Sequence, residues 1–149
     1  IFAGDGDDTV YGQNGVDVIH GGDGNDVLWG MNGADTFYFD TALNANSNVD
    51  KLMDFNADAD MLYLSTAIFT GIGSGSGTLA AADFAQVTSG GSGDVSALTV
   101  GLAVNIAFDS STNTLYFDAD GGSLANATKF AVLTGLTGTF NNADILFGA

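Results

Sequence analysis

Cysteine, proline, glutamate and arginine are all missing from this 149-residue chain. Without cysteine there is no disulfide framework and no thiolate metal site. Without arginine, only Lys51 and Lys129 oppose 18 aspartates, and the formal charge is −16. That balance argues against nucleic acid or an anionic membrane as partner and favours divalent cations. No apolar run approaches the ~20 residues that span a bilayer, so membrane insertion is not expected. A single histidine, His20, with no glutamate or cysteine beside it, leaves little for acid–base or nucleophilic catalysis. The chain itself is therefore not expected to be an enzyme. Glycine, by contrast, is abundant at 22 residues, and its entropy adds to charge repulsion against folding. The chain is nevertheless too apolar for permanent disorder, which makes it a conditional folder: open without metal, compact with it.

What is present is a repeat. Nine residues separate Gly6, Gly15, Gly24 and Gly33, and the same step separates Asp8, Asp17, Asp26 and Asp35. Val10, Ile19, Leu28 and Phe37 keep it too. In each unit six residues rich in Gly, Asp and Asn suit a turn needing positive φ. The last three, such as Val27-Leu28-Trp29, favour a short strand. Two units make one coil of 18 residues, which stacks Asp8 on Asp26 and Asp17 on Asp35.

The four units, Ala3–Tyr11, Gly12–His20, Gly21–Trp29 and Gly30–Tyr38, resemble the calcium-binding nonapeptide repeat of RTX proteins. The resemblance implies an all-β parallel β-roll over residues 1–40, with 41–149 as a β-rich capping region. Calcium suits the stack, because strands lie about 4.8 Å apart, roughly twice a calcium–oxygen distance of about 2.4 Å. By resemblance, one turn supplies the carbonyls of its second and fourth residues and its Asp. The turn one coil later supplies carbonyls of its first and third residues and its own Asp. The first implied site is Gly4, Gly6 and Asp8 with Gly21, Asp23 and Asp26. The second is Gln13, Gly15 and Asp17 with Gly30, Asn32 and Asp35. Gln13 and Met31 stand where a second Gly is usual, which a carbonyl ligand tolerates if φ permits. The half-sites Gly22, Gly24, Asp26 and Met31, Gly33, Asp35 face later chain, where Asp40 or Asp50 is expected to complete them. Asp residues that merely cap turns would not need the same phase in all four copies.

After Tyr38 the period is lost. Val49–Phe55 and Asp60–Ser65 read as strands, Leu79–Ala85 as a short helical turn, and Asn105–Asp109 with Thr114–Asp118 as a hairpin. Phe130–Leu133 and Asp144–Phe147 read as closing strands that cap the open end of the roll. Asp58-Ala-Asp60 and Asp118-Ala-Asp-Gly-Gly122 do not continue into an acidic twelve-residue EF-hand loop and read as turns. Asp50-Lys-Leu-Met-Asp-Phe and Asp60-Met-Leu-Tyr-Leu-Ser resemble the segment after the repeats in serralysin-type proteases. Phe108–Gly121 and the closing Asp144, Ile145, Leu146 and Phe147 resemble a type I secretion target region. That implies a partnership with an ABC transporter complex and a secreted, extracellular or cell-surface location.

Phe2, Tyr11, His20, Trp29 and Tyr38 all occupy the outward ninth position. They read first as cross-strand ladders, and second as a platform for sugar rings. The expected function is a calcium-binding module that folds outside the cell and directs type I export of a larger bacterial exoprotein. A calcium-dependent polysaccharide- or surface-binding module, an adhesin, is the alternative. Ile1 and Phe2 fit the last two positions of a preceding repeat, so the chain is expected to be a piece whose main activity lies upstream.

Overall fold

A computed structural model of the chain describes residues 1–93, 95–96, 104–121 and 123–149. Strands β1 (Phe2–Asp5), β2 (Thr9–Tyr11), β3 (Val18–Asp23), β4 (Val27–Trp29) and β5 (Thr36–Phe39) alternate between two sheets. Each coil places one strand in each sheet, and the pairing is parallel. Phe2 lies beside His20, Thr9 beside Val27, and Val18 beside Thr36, all 18 residues apart. This is the parallel β-roll expected from the repeat. The strands are short because only their middle residue points inward. Val10, Ile19, Leu28 and Phe37 are the buried members, in a column between the sheets. Each such burial contributes roughly 1.5–3 kcal/mol.

The parallel ladder does not stop where the period does. Strand β6 (Asp50–Leu52) pairs with β4, Lys51 beside Val27, and β7 (Met61–Ser65) pairs with β5, Met61 beside Thr36. The coil-to-coil step has grown from 18 residues to 24 and 25, through longer connections at 40–49 and 53–60. Leu52, Phe55, Leu62 and Leu64 continue the buried column.

The remaining strands are β8 (Gly77–Thr78), β9 (Phe84–Val87), β10 (Ile106–Asp109), β11 (Thr114–Phe117), β12 (Thr128–Leu133) and β13 (Ile145–Gly148). One sheet runs β1-β3-β5-β7-β13-β8 and the other β2-β4-β6-β12-β11-β10-β9. Strands β12 and β13 add a last parallel layer on β6 and β7. The expected hairpin is present as β10 and β11, with Ile106 beside Phe117. Strand β9, which the sequence did not signal, lies parallel to β10. The expected helical turn narrows to a single 3₁₀ turn at Ala81–Asp83. No α-helix occurs among the described residues, and no helix is long and apolar enough to cross a membrane. Gly122, the end of the Asp118 motif, lies outside the described residues.

Candidate metal centre

The turns of the roll stack as two columns, one on each side of the sheets. In the first column Asp8 N–H donates to Asp26 Oδ1 at 2.8 Å. In the second, Asp17 N–H donates to Asp35 Oδ1 at 2.9 Å. Each carboxylate thus spends one oxygen on the backbone of the coil below. The other oxygen is a different matter. Oδ2 of Asp17, Asp26 and Asp35 is buried and has no hydrogen-bond partner. An uncompensated buried carboxylate oxygen is costly. Three at the same phase of one repeat are a built feature rather than an accident of packing.

Glycine at the first position of the turn is what lets that oxygen sit there. A Cβ on Gly21 would collide with Asp26 Oδ2, and one on Gly30 with Asp35 Oδ2. At the second position the left-handed backbone is kept even without glycine: φ is 80° at Gln13 and 68° at Met31. Non-glycine residues rarely adopt this conformation, and its cost is borne at functional sites. Gln13 and Met31 share their phase with Gly4 and Gly22, whose φ values are 115° and 103°.

The carbonyls named in the sequence reading lie in these same turns. Gly6 N–H donates to Asp23 O at 2.6 Å, Gly15 N–H to Asn32 O at 2.9 Å, and Asn32 N–H to Gln13 O at 2.8 Å. Each of these oxygens retains a second lone pair. The carbonyls of Gly4 and Gly6 press against Gly22 and Gly24, and that of Gly15 against Gly33. The structure therefore brings Gly4, Gly6, Asp8, Gly21, Asp23 and Asp26 into one column. It brings Gln13, Gly15, Asp17, Gly30, Asn32 and Asp35 into the other.

The next layer is built differently. Asp50 stacks on Asp26, accepting its N–H at 3.1 Å, whereas Asp40 turns outward to His20 Nδ1 at 2.9 Å. Gly22 O accepts from the Thr41 hydroxyl at 2.8 Å. In the second column Asp60 accepts from Asp35 N–H at 2.9 Å and Asn56 N–H at 2.9 Å. Asp54 takes the N–H groups of Gly30 and Met31 at 3.0 and 2.9 Å. Asp54 and Asp60 were not singled out as site residues from sequence. Asp60 belongs to the Asp58-Ala-Asp60 motif, which reads as a turn, and Asp54 lies past the repeats where no fixed spacing points to the stack.

Burial raises the pKa of Asp26 and Asp35, against the hydrogen bonds from Asp8 and Asp17 and together with neighbouring carboxylates. Burial raises Asp60 as well, and it pushes Asp50 to about 7. No lysine or arginine relieves any of them. No group of three or more carboxylate or imidazole side chains converges on one point among the described residues. A cation held here would thus need a mixed shell of carboxylate and backbone carbonyl oxygens, the hard donor set suited to calcium.

The last candidate residues lie elsewhere. Asp144 caps a 3₁₀ turn, its carboxylate accepting from Asn141 N–H at 2.7 Å. Ile145, Leu146 and Phe147 form β13, with Ile145 beside Leu62 and Phe147 beside Leu64.

Residues 1–19 and 11–41 match the family model of the RTX calcium-binding nonapeptide repeat, in four copies. Comparison with curated proteins returns no significant match.

Proposed function

Residues 1–41 are an RTX repeat region and bind calcium ions, and on that premise we propose that the whole chain is a calcium-triggered folding module serving export of a larger bacterial exoprotein. The observation that carries this reading is the set of buried, unpartnered Oδ2 atoms of Asp17, Asp26 and Asp35. Asp8 and Asp26, with carbonyls of Gly4, Gly6, Gly21 and Asp23, would hold one ion. Asp17 and Asp35, with carbonyls of Gln13, Gly15, Gly30 and Asn32, would hold another. Asp50 and Asp60 extend the two columns, and Asp50 supports a further half-site with Gly22, Gly24 and Asp26. Bound calcium supplies the positive charge that these oxygens lack.

A type I channel passes an unfolded chain. Calcium at cytosolic levels leaves the net charge of −16 uncompensated and the turns open. Extracellular modules bind at about 10⁻⁴–10⁻³ M, so calcium outside the cell closes each emerging turn. In this reading Asp144, Ile145, Leu146 and Phe147 belong to the address read by the ABC transporter complex, besides their place in β13.

Circular dichroism tests the folding half: a disordered-like spectrum in chelator should become β-type in millimolar calcium, and an unchanged spectrum rejects it. Secretion of residues 1–149 fused to a slow-folding passenger tests the export half. Deleting residues 140–149 should abolish secretion; normal secretion of the truncated fusion means that the segment is only part of the fold.

The alternative, a polysaccharide- or surface-binding module, draws less support. Phe2, His20, Tyr38 and Tyr63 stack with ring centroids 4.2, 4.4 and 4.2 Å apart. The inner rings therefore cover one another, and a sugar needs an open ring face.

A further inference from the structure

The roll contains two Asn-Gly steps, Asn14-Gly15 and Asn32-Gly33, at the same phase of the second and fourth units. We propose that Asn32 is a site of spontaneous deamidation gated by calcium, and that Asn14, its chemical twin one coil below, is protected by the fold. The inference rests on the calcium-dependent folding proposed above.

Asn-Gly is the dipeptide in which this reaction meets least hindrance, because glycine has no Cβ to obstruct its own amide nitrogen. That nitrogen attacks the Asn Cγ, forming a C–N bond. The Cγ–Nδ2 bond breaks, and ammonia leaves with the displaced proton. The resulting succinimide is opened by water at one of its two carbonyls, giving aspartate or isoaspartate. Water is the only co-reactant.

All four residues are exposed, so solvent access does not distinguish the two steps. Their nucleophiles do. Gly15 N–H is held by Asn32 O at 2.9 Å, whereas the bond from Asn32 Nδ2 to the Asn14 side-chain oxygen at 2.8 Å is shared by both side chains and does not tell them apart. The Gly15 nitrogen cannot attack until its bond to Asn32 O opens. Gly33 N–H has no partner among the described residues, because the layer above it is not a regular repeat. There Asp54 reaches Gly30 and Met31, and Asp60 reaches Asp35, but neither carboxylate takes the Gly33 N–H. The irregular coil thus leaves one nucleophile free in a turn otherwise well held.

The consequence differs from a simple change of charge. In isoaspartate the main chain runs through Cβ and Cγ, and the former backbone carbonyl becomes part of a free carboxylate. At position 32 this displaces the oxygen that accepts Gly15 N–H and that belongs to the second proposed ligand set. It also lengthens the turn that presents Asp35. A chain kept long without calcium, where neither glycine nitrogen is held, would lose its second column first.

The test is ageing of the 149-residue chain at neutral pH, in calcium and in chelator. Peptide mapping of Asn14 and Asn32, with isoaspartate quantified by methyltransferase labelling, is read against circular dichroism on the same samples. In calcium Asn14 should deamidate roughly tenfold more slowly than Asn32, the protection expected of one backbone hydrogen bond. In chelator both should accelerate to similar rates. Asn32→Gln, checked first for a calcium-induced β spectrum, should slow the loss, during ageing in chelator, of the β spectrum regained when calcium is returned. Equal rates at Asn14 and Asn32 in a calcium-folded sample overturn the proposal and leave calcium-dependent folding standing. If calcium alters neither spectrum nor rates, both fail together.

Discussion

Two kinds of buried aspartate divide this molecule. In the roll, Asp26 and Asp35 each take one backbone N–H and leave the other oxygen without a partner. In the cap, Asp109 is just as buried but fully served. It accepts from Ser89 N–H, the Ser89 hydroxyl, Ser111 N–H at 3.0 Å, the Ser111 hydroxyl at 2.7 Å and the Thr112 hydroxyl at 2.8 Å. The electrostatics diverge accordingly. Burial raises the pKa of Asp26 and Asp35. Burial opposes ionisation of Asp109 as well, but the bonds from Ser89 and Ser111 overcome it and hold that carboxyl well below the usual range. Asp26 and Asp35 ask for a cation from outside, whereas Asp109 is met by hydroxyl and amide donors of the chain itself.

The cores differ in the same sense. The first coils of the roll bury a single column of Val10, Ile19, Leu28 and Phe37. In the cap β10 and β11 are buried along their whole length. An aromatic cluster fills the cap and meets the roll through Phe39: Phe69 meets Phe117 and Phe130, each with centroids 5.1 Å apart, Phe140 meets Phe108 at 4.9 Å, and Phe39 meets Phe130 at 5.3 Å. Aromatic pairs of this geometry add about 0.5–1.5 kcal/mol beyond their burial. The cap therefore stabilises itself largely by packing, and the roll by packing plus metal.

The largest effect that tests this contrast is removal of calcium. At ten times the dissociation constant, each bound ion adds roughly 1.4 kcal/mol, so two to four ions amount to much of a small domain's stability. Hydrogen exchange in chelator should show loss of protection over residues 4–35, with β10, β11 and β12 retaining more. Uniform loss across both regions would mean that the cap depends on the metal as much as the roll does. Next in size is Asp26→Ala. Asp26 takes the Asp8 N–H, gives its own N–H to Asp50, and presents an unpartnered oxygen. Its loss should cost about 2–3 kcal/mol in calcium and weaken calcium affinity. Asp8→Ala, at the end of the column, should cost less than about 1 kcal/mol. Equal shifts in calcium titrations of the two variants would contradict the stacked-turn arrangement.

Asp109→Ala probes the other side of the comparison. It strips the acceptor from several donors at once and should cost about 1–3 kcal/mol. The cost should be the same with and without calcium, which melting in the two conditions would check. The sign with pH also follows. A carboxylate with a lowered folded pKa contributes stability above its unfolded value and loses it as pH falls through the folded one. Acid should therefore narrow the gap between the wild-type chain and Asp109→Ala. A calcium-dependent penalty at Asp109 would erase the distinction between the two kinds of aspartate.

The repeat was legible because every level agrees on it: Gly for the turn, Asp for the stack, one apolar residue for the core, all at a step of nine. Beyond residue 40 the physics persists while the spacing fails. Asp50 and Asp60 still cap the backbone below them, and Leu52 and Leu62 still fill the column. The coil-to-coil step is longer by six and seven residues, so no fixed period points to them. Asp50 was foreseen as a continuation. Asp60 was read as turn chemistry, and its bond to Asn56 N–H is indeed of that kind, but its bond to Asp35 belongs to the stack. Strand β9 escaped notice because it gains its partner only when the chain beyond residue 103 returns beside it, a long-range pairing with no local pattern.

The smallest effect concerns the outer face, where the ring ladder is independent of both kinds of aspartate. His20 stacks between Phe2 and Tyr38 and bonds Asp40 through Nδ1 at 2.9 Å. Its side chain is only 14% exposed, while Phe2, at the end of the row, is 80% exposed. Cross-strand pairs of this kind contribute about 0.2–1 kcal/mol each relative to alanine. His20→Ala should therefore lower stability by about 1 kcal/mol and leave calcium affinity unchanged, because the stacked carboxylates are held by backbone N–H groups of the turns and not by the rings. Calorimetric titration of calcium into the variant, beside thermal melting, separates the two readouts. A marked loss of calcium affinity would mean that the outer face and the turns are coupled. If instead His20→Ala leaves stability untouched but removes binding to an acidic or neutral polysaccharide, the ladder is a ligand surface. The stacking that closes its inner faces would then have to open to admit the sugar.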